Sequence, residues 1–271
     1  MRRIAVVTST QWSRGHPDDV SLFVAMPRFG LQPEPRVWSD PNVPWERHDA
    51  ILVRTPWDYF RRWPEFSAWL DRIGSLDVPV INPVPLLRWN ADKRYLLALE
   101  AAGVAVVPTR FVEAGQIMPA LEACGWRDLV VKPTVSGGAW DTLRLKPAEF
   151  AARAAELELL ARKHTLMLQP YLPEVETDGE WSLVYFGSEF SHAVRKRPKA
   201  GDFRVQEKHG GAHERAEPGA GLIAQGRAVL AALPGLGFDT CLYARVDGVV
   251  SGGRLLLMEL EVLEPQLFLA G

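Results

Sequence analysis

Three carboxylates near the C-terminus, Asp247, Glu259 and Glu261, have the residue types of a divalent-cation site. Two like charges about 4 Å apart repel by roughly 4 kcal/mol at an effective dielectric of 20, so such a cluster is unfavourable without a cation. An all-oxygen set with few protein ligands suits Mg²⁺ that also holds substrate phosphates. The alternative is that Glu259 and Glu261 only mark the solvent face of an edge strand.

The elements around these carboxylates are predicted to bring them together. Residues 241–247 and 255–262 read as two strands, and the glycines between them favour a tight reversal. Residues two apart in a strand share a face, so Glu259 and Glu261 point the same way. A turn near residues 252–253 then puts Asp247 roughly opposite residues 258–259.

A lysine and a glycine loop in DLVVKPTVSGGAWDT could bind phosphate. Lys132 ends an apolar strand, and Ser136, Gly137 and Gly138 follow it. A glycine loop offers backbone N–H groups to phosphate oxygens without side-chain obstruction, and a lysine adds a point charge. This is not a Walker loop, because no Gly-Lys-Ser/Thr follows. An ordinary hairpin loop is the alternative.

A second lysine, Lys93, is predicted early on a helix that Asn90 caps and that runs to about residue 102. The alternative is that the charged residues 92–94 are only its solvated face.

The segment LMLQPYLPEVETDGEW could hold a nucleoside. An apolar strand leads into Gln169, Pro170, Tyr171 and Leu172, a connector able to present backbone groups to an adenine edge. Glu180 opens the next strand, where a carboxylate can accept hydrogen bonds from ribose hydroxyls. An exposed loop glutamate is the alternative.

The basic run of residues 195–209 lies between this carboxylate and the three C-terminal ones. Planar arginine side chains suit a transferring phosphoryl group or a carboxylate substrate. Such a run is otherwise a solvated face.

The composition limits the class of protein. The chain has 271 residues, a formal net charge of −2 and 47% hydrophobic residues, enough for one large or two to three small domains. Near-neutral charge gives no case for nucleic acid or an anionic membrane. The two cysteines form no disulfide framework or zinc pattern. No membrane span or signal peptide is expected, and a cytoplasmic location follows.

The order of predicted elements indicates an α/β unit followed by an α+β body. Residues 4–8, 50–53 and 80–81 read as parallel strands, with a helix over residues 64–74. Strands and helices are mixed after this unit. A hairpin is predicted around residues 187–188, and residues 210–221 read as a loop.

Taken in order, residues 81–266 resemble the ATP-grasp superfamily, and within it the bacterial glutathione synthetase type. The shared order is helix lysine, strand lysine, glycine loop, connector, ribose carboxylate, basic loop and carboxylate hairpin. The resemblance implies ATP as the cofactor, with Gln169, Tyr171 and Leu172 at adenine and Glu180 at ribose.

The resemblance also implies roles for the charged residues that remain. Arg197 and Arg204 would act at the reacting phosphate and carboxylate, and Asp247, Glu259 and Glu261 would bind metal. The family usually has Asn at the last position, so the extra charge of Glu261 implies two Mg²⁺ ions, with Mn²⁺ as the substitute.

The first 80 residues depart from glutathione synthetase. The segments VRTPWDYFRR and NPVPLLRWNADKRYLL resemble the smaller branch that includes the ATP-grasp cyclo-ligase of cycloserine biosynthesis. Arg54, Trp57 and Asp58 lie just after a predicted parallel strand, where α/β sheets place ligands, and are candidate substrate residues. Trp57 could instead pack a domain junction.

The sequence thus predicts an ATP-grasp fold of three units. They are an N-terminal parallel-sheet domain (1–85), a central lid (86–172) and a C-terminal α+β unit with the metal site (173–271). The predicted activity is ADP-forming carboxylate–amine ligation through an acyl phosphate on an amino-acid-like or small peptide substrate. Intramolecular ring closure and a non-catalytic nucleotide-binding module are the alternatives. A homodimer is compatible with this reading.

Overall fold

The computed structural model describes residues 1–269 and contains three β-sheets with helices packed against them. The first sheet is parallel, with strand order β2-β1-β3-β4, and confirms the predicted α/β unit. Its strands are β1 (Arg2–Thr8), β2 (Leu31–Val37), β3 (Ala50–Thr55) and β4 (Val80–Ile81).

Strand β2 was not predicted, because its sequence contains Pro33 and Pro35. Proline cannot donate to a strand ladder and is confined to edges. In the structure β2 is an edge strand that pairs only with β1 among the described residues.

Four helices accompany this sheet and lead out of it: α1 (Val20–Ala25), α2 (Trp63–Gly74), α3 (Val84–Ala91) and α4 (Tyr95–Ala101). Helix α2 buries Phe66, Trp69, Leu70 and Ile73, as its periodicity predicts.

The predicted cap at Asn90 is wrong. Asn90 lies in the last turn of α3, and the next helix begins at Tyr95. The Asn90 side chain is buried and bonds to backbone of the distant C-terminal segment, accepting from Val262 N at 2.9 Å and donating to Leu260 O. Lys93 therefore lies in the turn between α3 and α4.

The second sheet is antiparallel, in the order β5-β8-β6-β7, with α5 and α6 packed together on it. Its elements are β5 (Arg110–Val112), α5 (Ile117–Cys124), β6 (Leu129–Pro133), β7 (Leu143–Leu145), α6 (Phe150–Ala161) and β8 (Leu166–Pro170).

The third sheet has five antiparallel strands in the order β11-β10-β9-β12-β13. Its elements are α7 (Glu174–Thr177), β9 (Glu180–Phe186), β10 (Glu189–Arg197), β11 (Ala212–Arg215), α8 (Ala220–Ala231), β12 (Tyr243–Ser251) and β13 (Arg254–Glu261). The hairpin around residues 187–188 is present as predicted. The loop predicted for residues 210–221 instead contains β11, whose four residues are all exposed.

The sheets do not test the predicted division at residues 85/86 and 172/173, which stays a prediction. Within residues 1–269, no helix combines the length and apolar character needed to cross a bilayer.

Candidate active site

A cleft with a cavity of about 560 Å³ lies where the three sheets meet. Each sheet contributes at least one lining segment. The charged side chains that line it are Asp58, Arg61, Lys93, Lys132, Glu180, Lys196, Arg204, Glu207, Lys208, Arg245, Asp247, Glu259, Glu261 and Glu264.

The β12–β13 hairpin sets the register of the acidic residues. Asp247 pairs with Glu259 and Arg245 pairs with Glu261, with a bulge just after Asp247. The turn is formed by Gly252 and Gly253, both at positive φ. The predicted register is confirmed, and the three carboxylates line one cleft.

Basic side chains stand between these carboxylates. The Arg245 guanidinium donates to Asp247 through Nη2 at 2.7 Å and to Glu261, and Lys196 Nζ lies 3.3 Å from Asp247. Burial acts to raise the pKa of Asp247, but Arg245 and Lys196 outweigh it and hold that pKa well below its usual range.

Glu261 behaves in the opposite way. Burial, aided by the charges of Glu259 and Asp247, raises the pKa of Glu261 well above its ordinary value despite the contact with Arg245. A cation added at this point would favour the ionised form.

Two lysines face the acidic hairpin. Lys93 Nζ donates to Ser136 O at 2.6 Å and forms an ion pair with Glu259 at 3.0 Å. Burial opposes its charge, but Glu259 dominates and the pKa of Lys93 is raised. Burial lowers the pKa of Lys132, and the nearby charge of Lys93 adds to the effect. Both lysines lie where phosphate oxygens could approach.

Glu264 adds a further carboxyl group to the cleft. Burial, together with the charge of Glu259, raises its pKa to about 7, while Lys93 and the Tyr59 hydroxyl act to lower it. The backbone holds this position, since Trp57 Nε1 donates to Glu264 O at 3.0 Å.

The glycine loop after β6 is seated against two other parts of the cleft. Trp140 packs on Phe60 of the N-terminal unit, with ring centroids 5.4 Å apart. Gly138 has φ +57°, and a Cβ there would lie 2.8 Å from Lys208 Nζ. Ser136 Oγ donates to Pro133 O at 2.9 Å. The loop therefore covers the cleft beside the basic segment.

The far end of the cleft is apolar, lined by Val107, Val130, Leu172, Val175 and Met258. The connector after β8 borders it. Tyr171 N–H donates to Asp128 O, and Leu172 O accepts from Val175 N. Within residues 1–269, Tyr171 O and Leu172 N–H take no part in a hydrogen bond, so an adenine edge could use them.

Gln169 also lines this end, and its side chain is buried. Its Nε2 donates to Thr109 Oγ1 at 3.0 Å.

The basic run divides between two faces. Lys196 points into the cleft and contacts Glu180 Oε1 at 2.5 Å, in register across β9 and β10. Arg197, one residue on, points outward, pairs with Glu214 at 2.9 Å and keeps 42% of its side chain exposed. Arg204 lines the cleft and pairs with Asp202. The structure thus brings Arg204 and Glu180 to the cleft, but not Arg197.

Of the three candidate substrate residues, two lie in the cleft and one does not. Trp57 and Asp58 line the cleft. Arg54 does not; its buried guanidinium donates to Asp19 at 2.9 Å and to Pro265 O at 3.1 Å. The bond to Pro265 ties the N-terminal unit to the C-terminal segment.

Sequence reasoning missed Lys196, Arg245 and Glu264 as cleft residues. Arg245 has a readable signal, since it lies two residues before Asp247 in one strand and shares its face. Lys196 could be predicted only if it were known which residues of the basic run face the cleft. Glu264 follows the end of β13, where no periodicity applies.

The donor set fits Mg²⁺ by its chemistry, because the carboxylates are all-oxygen ligands beside two lysines that could neutralise bound phosphate. In the described part of the chain, no three His, Cys, Asp or Glu side chains form a metal-holding group by themselves.

Comparison with known proteins gives one consistent result. Residues 4–82 match the family described as the N-terminal domain of D-cycloserine synthetase DcsG. Along 268 residues, the chain is 34% identical to the cycloserine biosynthesis protein DcsG of Streptomyces lavendulae, covering 91% of this chain and 86% of that protein.

Solved structures agree. The crystal structure of D-cycloserine synthetase DcsG superposes with a TM-score of 0.86 at 30% identity, covering 98% of this chain and 93% of the other. A D-alanine–D-alanine ligase from Bacillus anthracis has a TM-score of 0.71 at 17% identity, with coverage of 97% and 87%. The second match bears on the fold alone.

Proposed function

Because the chain belongs to the DcsG branch of the ATP-grasp ligases, we propose that it phosphorylates the carboxylate of a small amino-acid-like substrate and joins it to a nitrogen nucleophile. The enzyme is an ATP-dependent ligase that forms C–N bonds. The observation that carries the proposal is the convergence of the acidic hairpin, Lys93 and Lys132 in one cleft.

ATP would occupy the length of this cleft. Adenine would fill the apolar end, with its edge on Leu172 N–H and Tyr171 O and the ribose hydroxyls on Glu180. Lys93, Lys132 and the backbone of the glycine loop would hold the phosphates. This arrangement agrees with the burial of Lys93, with the position of Lys132 in the cleft lining, and with the seating of the loop.

Asp247, Glu259 and Glu261 would hold Mg²⁺, which when bound neutralises charge on the β- and γ-phosphate oxygens. Two ions suit the additional charge of Glu261, and Mn²⁺ could replace them. Lys93 and Arg245 hold these carboxylates in place and set their direction.

Phosphoryl transfer requires positioning and charge stabilisation more than covalent chemistry from the protein. Arg245, Lys196 and Arg204 line the cleft beside the acidic hairpin. We assign them to the transferring phosphoryl group and the acceptor carboxylate, with Lys196 in the role that the sequence gives to Arg197. The bond formed joins a carboxylate oxygen to phosphorus, and ADP leaves.

The nucleophile then attacks the acyl carbon, loses a proton, and phosphate leaves. Water would destroy the acyl phosphate, so the cleft must be closed during this step. The glycine loop can provide the closure, because Trp140 already rests on Phe60.

A ring-closing version of the reaction is the second candidate. It is favoured by the similarity to DcsG along nearly the whole chain, including the N-terminal unit. In that version a single substrate carries both the carboxylate and the nitrogen nucleophile. The homodimer and the cytoplasmic location stay predictions.

The experiment is ADP release by the purified protein with ATP and Mg²⁺, against amino acids and dipeptides supplied alone and in pairs. Stimulation by one compound, with a product lighter by one water, would support ring closure. Stimulation only by a pair would support intermolecular ligation. ATP binding without ADP release for any acid would contradict the proposed activity.

A further inference from the structure

The carboxylates of the cleft differ in one respect, which is whether the protein supplies a cation for them. Asp247 and Glu261 share Arg245, Glu259 pairs with Lys93, and Glu180 pairs with Lys196. In the described residues 1–269, these three basic side chains of the cleft form ion pairs with these other carboxylates, and none forms an ion pair with Glu264. Lys93 is close enough for its charge to lower the pKa of Glu264 but pairs with Glu259 instead, so within residues 1–269 the Glu264 carboxylate has no direct ion-pair partner.

The position of Glu264 is fixed by the N-terminal unit. Its carbonyl accepts from Trp57 Nε1, and the next carbonyl, of Pro265, accepts from Arg54 Nη1. The side chain lies under the glycine loop, since a Cβ on Gly137 would be 3.8 Å from Glu264 Oε1. Such a carboxylate is held in place before any ligand arrives.

Glu264 also lies on the side of the cleft away from the apolar end. It follows Glu261 by three residues, and its carboxyl group interacts with the Tyr59 hydroxyl of the N-terminal unit. The cleft side formed by this unit is where an acceptor would meet the γ-phosphate.

Aromatic rings line the same side of the cleft. His16 packs edge-on against Trp12 and Trp57, with ring centroids 4.5 Å and 4.6 Å apart, and all three residues line the cavity. Aromatic faces attract cations, and they exclude water from a charge pair beside them. Trp57 joins these rings to the Glu264 backbone, and the Tyr59 hydroxyl interacts with the carboxyl group itself. A carboxylate in these surroundings suits a small primary ammonium group.

We propose that Glu264 receives the α-ammonium group of the acid that is phosphorylated, and so selects free α-amino acids over acids that lack this group. The inference rests on the proposed ligase function. It makes Glu264 a specificity-determining residue, with the reacting carboxylate directed towards Arg245 and the acidic hairpin.

The test compares paired acids that differ only at the α position. ADP release is measured with L- and D-α-amino acids and with the corresponding 2-hydroxy acids, in the wild type and in Glu264→Gln. In the wild type, amino acids should be preferred at least 10- to 100-fold in kcat/KM, as expected when one charged hydrogen bond is lost. Glu264→Gln should raise the KM for the amino acid by that factor and abolish the preference.

Two further variants define the controls. Glu264→Asp keeps the carboxylate and should retain the preference at a higher KM. Glu122→Gln, on the exposed side of α5, should match the wild type in every constant. The KM values for ATP and Mg²⁺ should stay within about threefold in Glu264→Gln, since one removed contact to the acid leaves nucleotide binding intact.

Three results would overturn the inference. The wild type could accept hydroxy and amino acids equally, or Glu264→Gln could keep the preference. A parallel rise in the KM for Mg²⁺ would assign Glu264 to metal binding instead. Failure of every acid to stimulate the wild type would overturn the proposed function and this inference together, whereas equal use of both sets would overturn the inference alone.

Discussion

The charge balance at Asp247 depends on Arg245 and Lys196, which are both buried. Lys196 contacts two carboxylates at once, Glu180 at 2.5 Å and Asp247 at 3.3 Å. A lysine in this position can interact with bound phosphate while its charge reduces the repulsion between the two carboxylates. Its neighbour Arg197 has no such contact with the cleft.

Replacing Lys196 by methionine should lower kcat/KM for ADP formation about 100-fold or more, because one preorganised charge is lost beside the transferring group. Arg197→Met is the matched control and should stay within about threefold, because surface ion pairs contribute little. Steady-state kinetics measure both, and thermal unfolding checks that Lys196→Met is folded. Equal losses in the two variants would contradict the assignment of the inward face.

Replacing Glu261 by glutamine should lower turnover about 100-fold or more and raise the KM for Mg²⁺, because one carboxylate ligand of the metal is removed. The fold should persist, since the amide keeps the shape and can still accept from Arg245. Mg²⁺ titrations of ADP release give the result, with exposed Glu65→Gln as the control. Near-normal turnover at saturating Mg²⁺ would refute the metal assignment.

The contrast between Lys196 and Arg197 also shows which site residues can be predicted from the sequence. Alternation predicted the shared face of Glu259 and Glu261, because a glycine turn fixed their register. In the basic run, alternation predicts which side chains face the cleft only if the orientation of one of them is already known. The sequence does not give that orientation, so it does not single out Lys196. The position of Arg54 after a parallel strand predicts a substrate residue. Its partner Asp19 lies in a segment without a recognisable motif, so the sequence does not reveal their ion pair.

At the scale of elements, the glycine loop combines positive φ values with close contacts. Gly138, Ala139 and Asp141 all have φ between +49° and +57°. Gly187, in the β9–β10 turn, has almost the same φ of +59°, yet a Cβ there would meet nothing within 4 Å. Comparing alanine substitutions at these two glycines therefore distinguishes the effect of backbone strain from the effect of a close contact.

Gly138→Ala and Gly187→Ala should each cost about 1–2 kcal/mol of stability, because alanine is strained in the left-handed region. Only Gly138→Ala should also raise the KM for ATP, because its methyl group would displace the Lys208 ammonium from the loop. Urea unfolding and ATP kinetics measure the two effects. An equal rise in KM for both variants would show that strain, and not the Lys208 contact, controls the loop.

The edge strand β2 is held by a charged cluster around Glu34. Its carboxylate accepts from Arg3 Nε at 2.8 Å and from Arg36, and lies 3.3 Å from His48 Nε2. Hydrogen bonding from Arg3 is the main cause that lowers the pKa of Glu34 to about 2. Its stabilising effect is therefore complete above the ordinary pKa and declines as the pH falls towards 2.

Glu34→Gln should destabilise the protein by about 1–3 kcal/mol at pH 7, because Arg3 loses its charged partner. The difference from the wild type should shrink below pH 4.5 and fall to about half at pH 3. Urea unfolding at pH 7, 5, 4 and 3 tests this. A difference independent of pH would mean that the carboxylate charge is not what holds β2.

The helices and strands differ in whether the sequence signal that predicts them lies within one segment. The acidic hairpin and helix α2 were predictable because periodicity and turn glycines act within one segment. Strand β2 was hidden by Pro33 and Pro35, which only its edge position tolerates. The local sequence predicts a helix cap at Asn90, because its true partners, Leu260 to Leu263, lie about 170 residues away.

At the scale of the whole molecule, buried polar side chains join the N-terminal unit to the acidic hairpin and the segment that follows it. Asn82 donates to Tyr243 O and Val262 O, both at 2.9 Å, and Asp18 accepts from Leu267 N at 3.0 Å. These bonds seat the segment after β13 against the N-terminal unit. The side of the cleft that we propose for the acceptor is thus formed by residues from the N-terminal unit and from the segment after β13, which no local pattern reveals.

The central claim is that ATP phosphorylates a substrate carboxylate in this cleft, and oxygen transfer tests it most directly. The acid that stimulates ADP release is labelled with ¹⁸O in its carboxylate, and the released phosphate is analysed by mass spectrometry. An acyl phosphate predicts one ¹⁸O atom in each phosphate, for ring closure and for intermolecular ligation alike. Unlabelled phosphate, or label in AMP, would contradict the account.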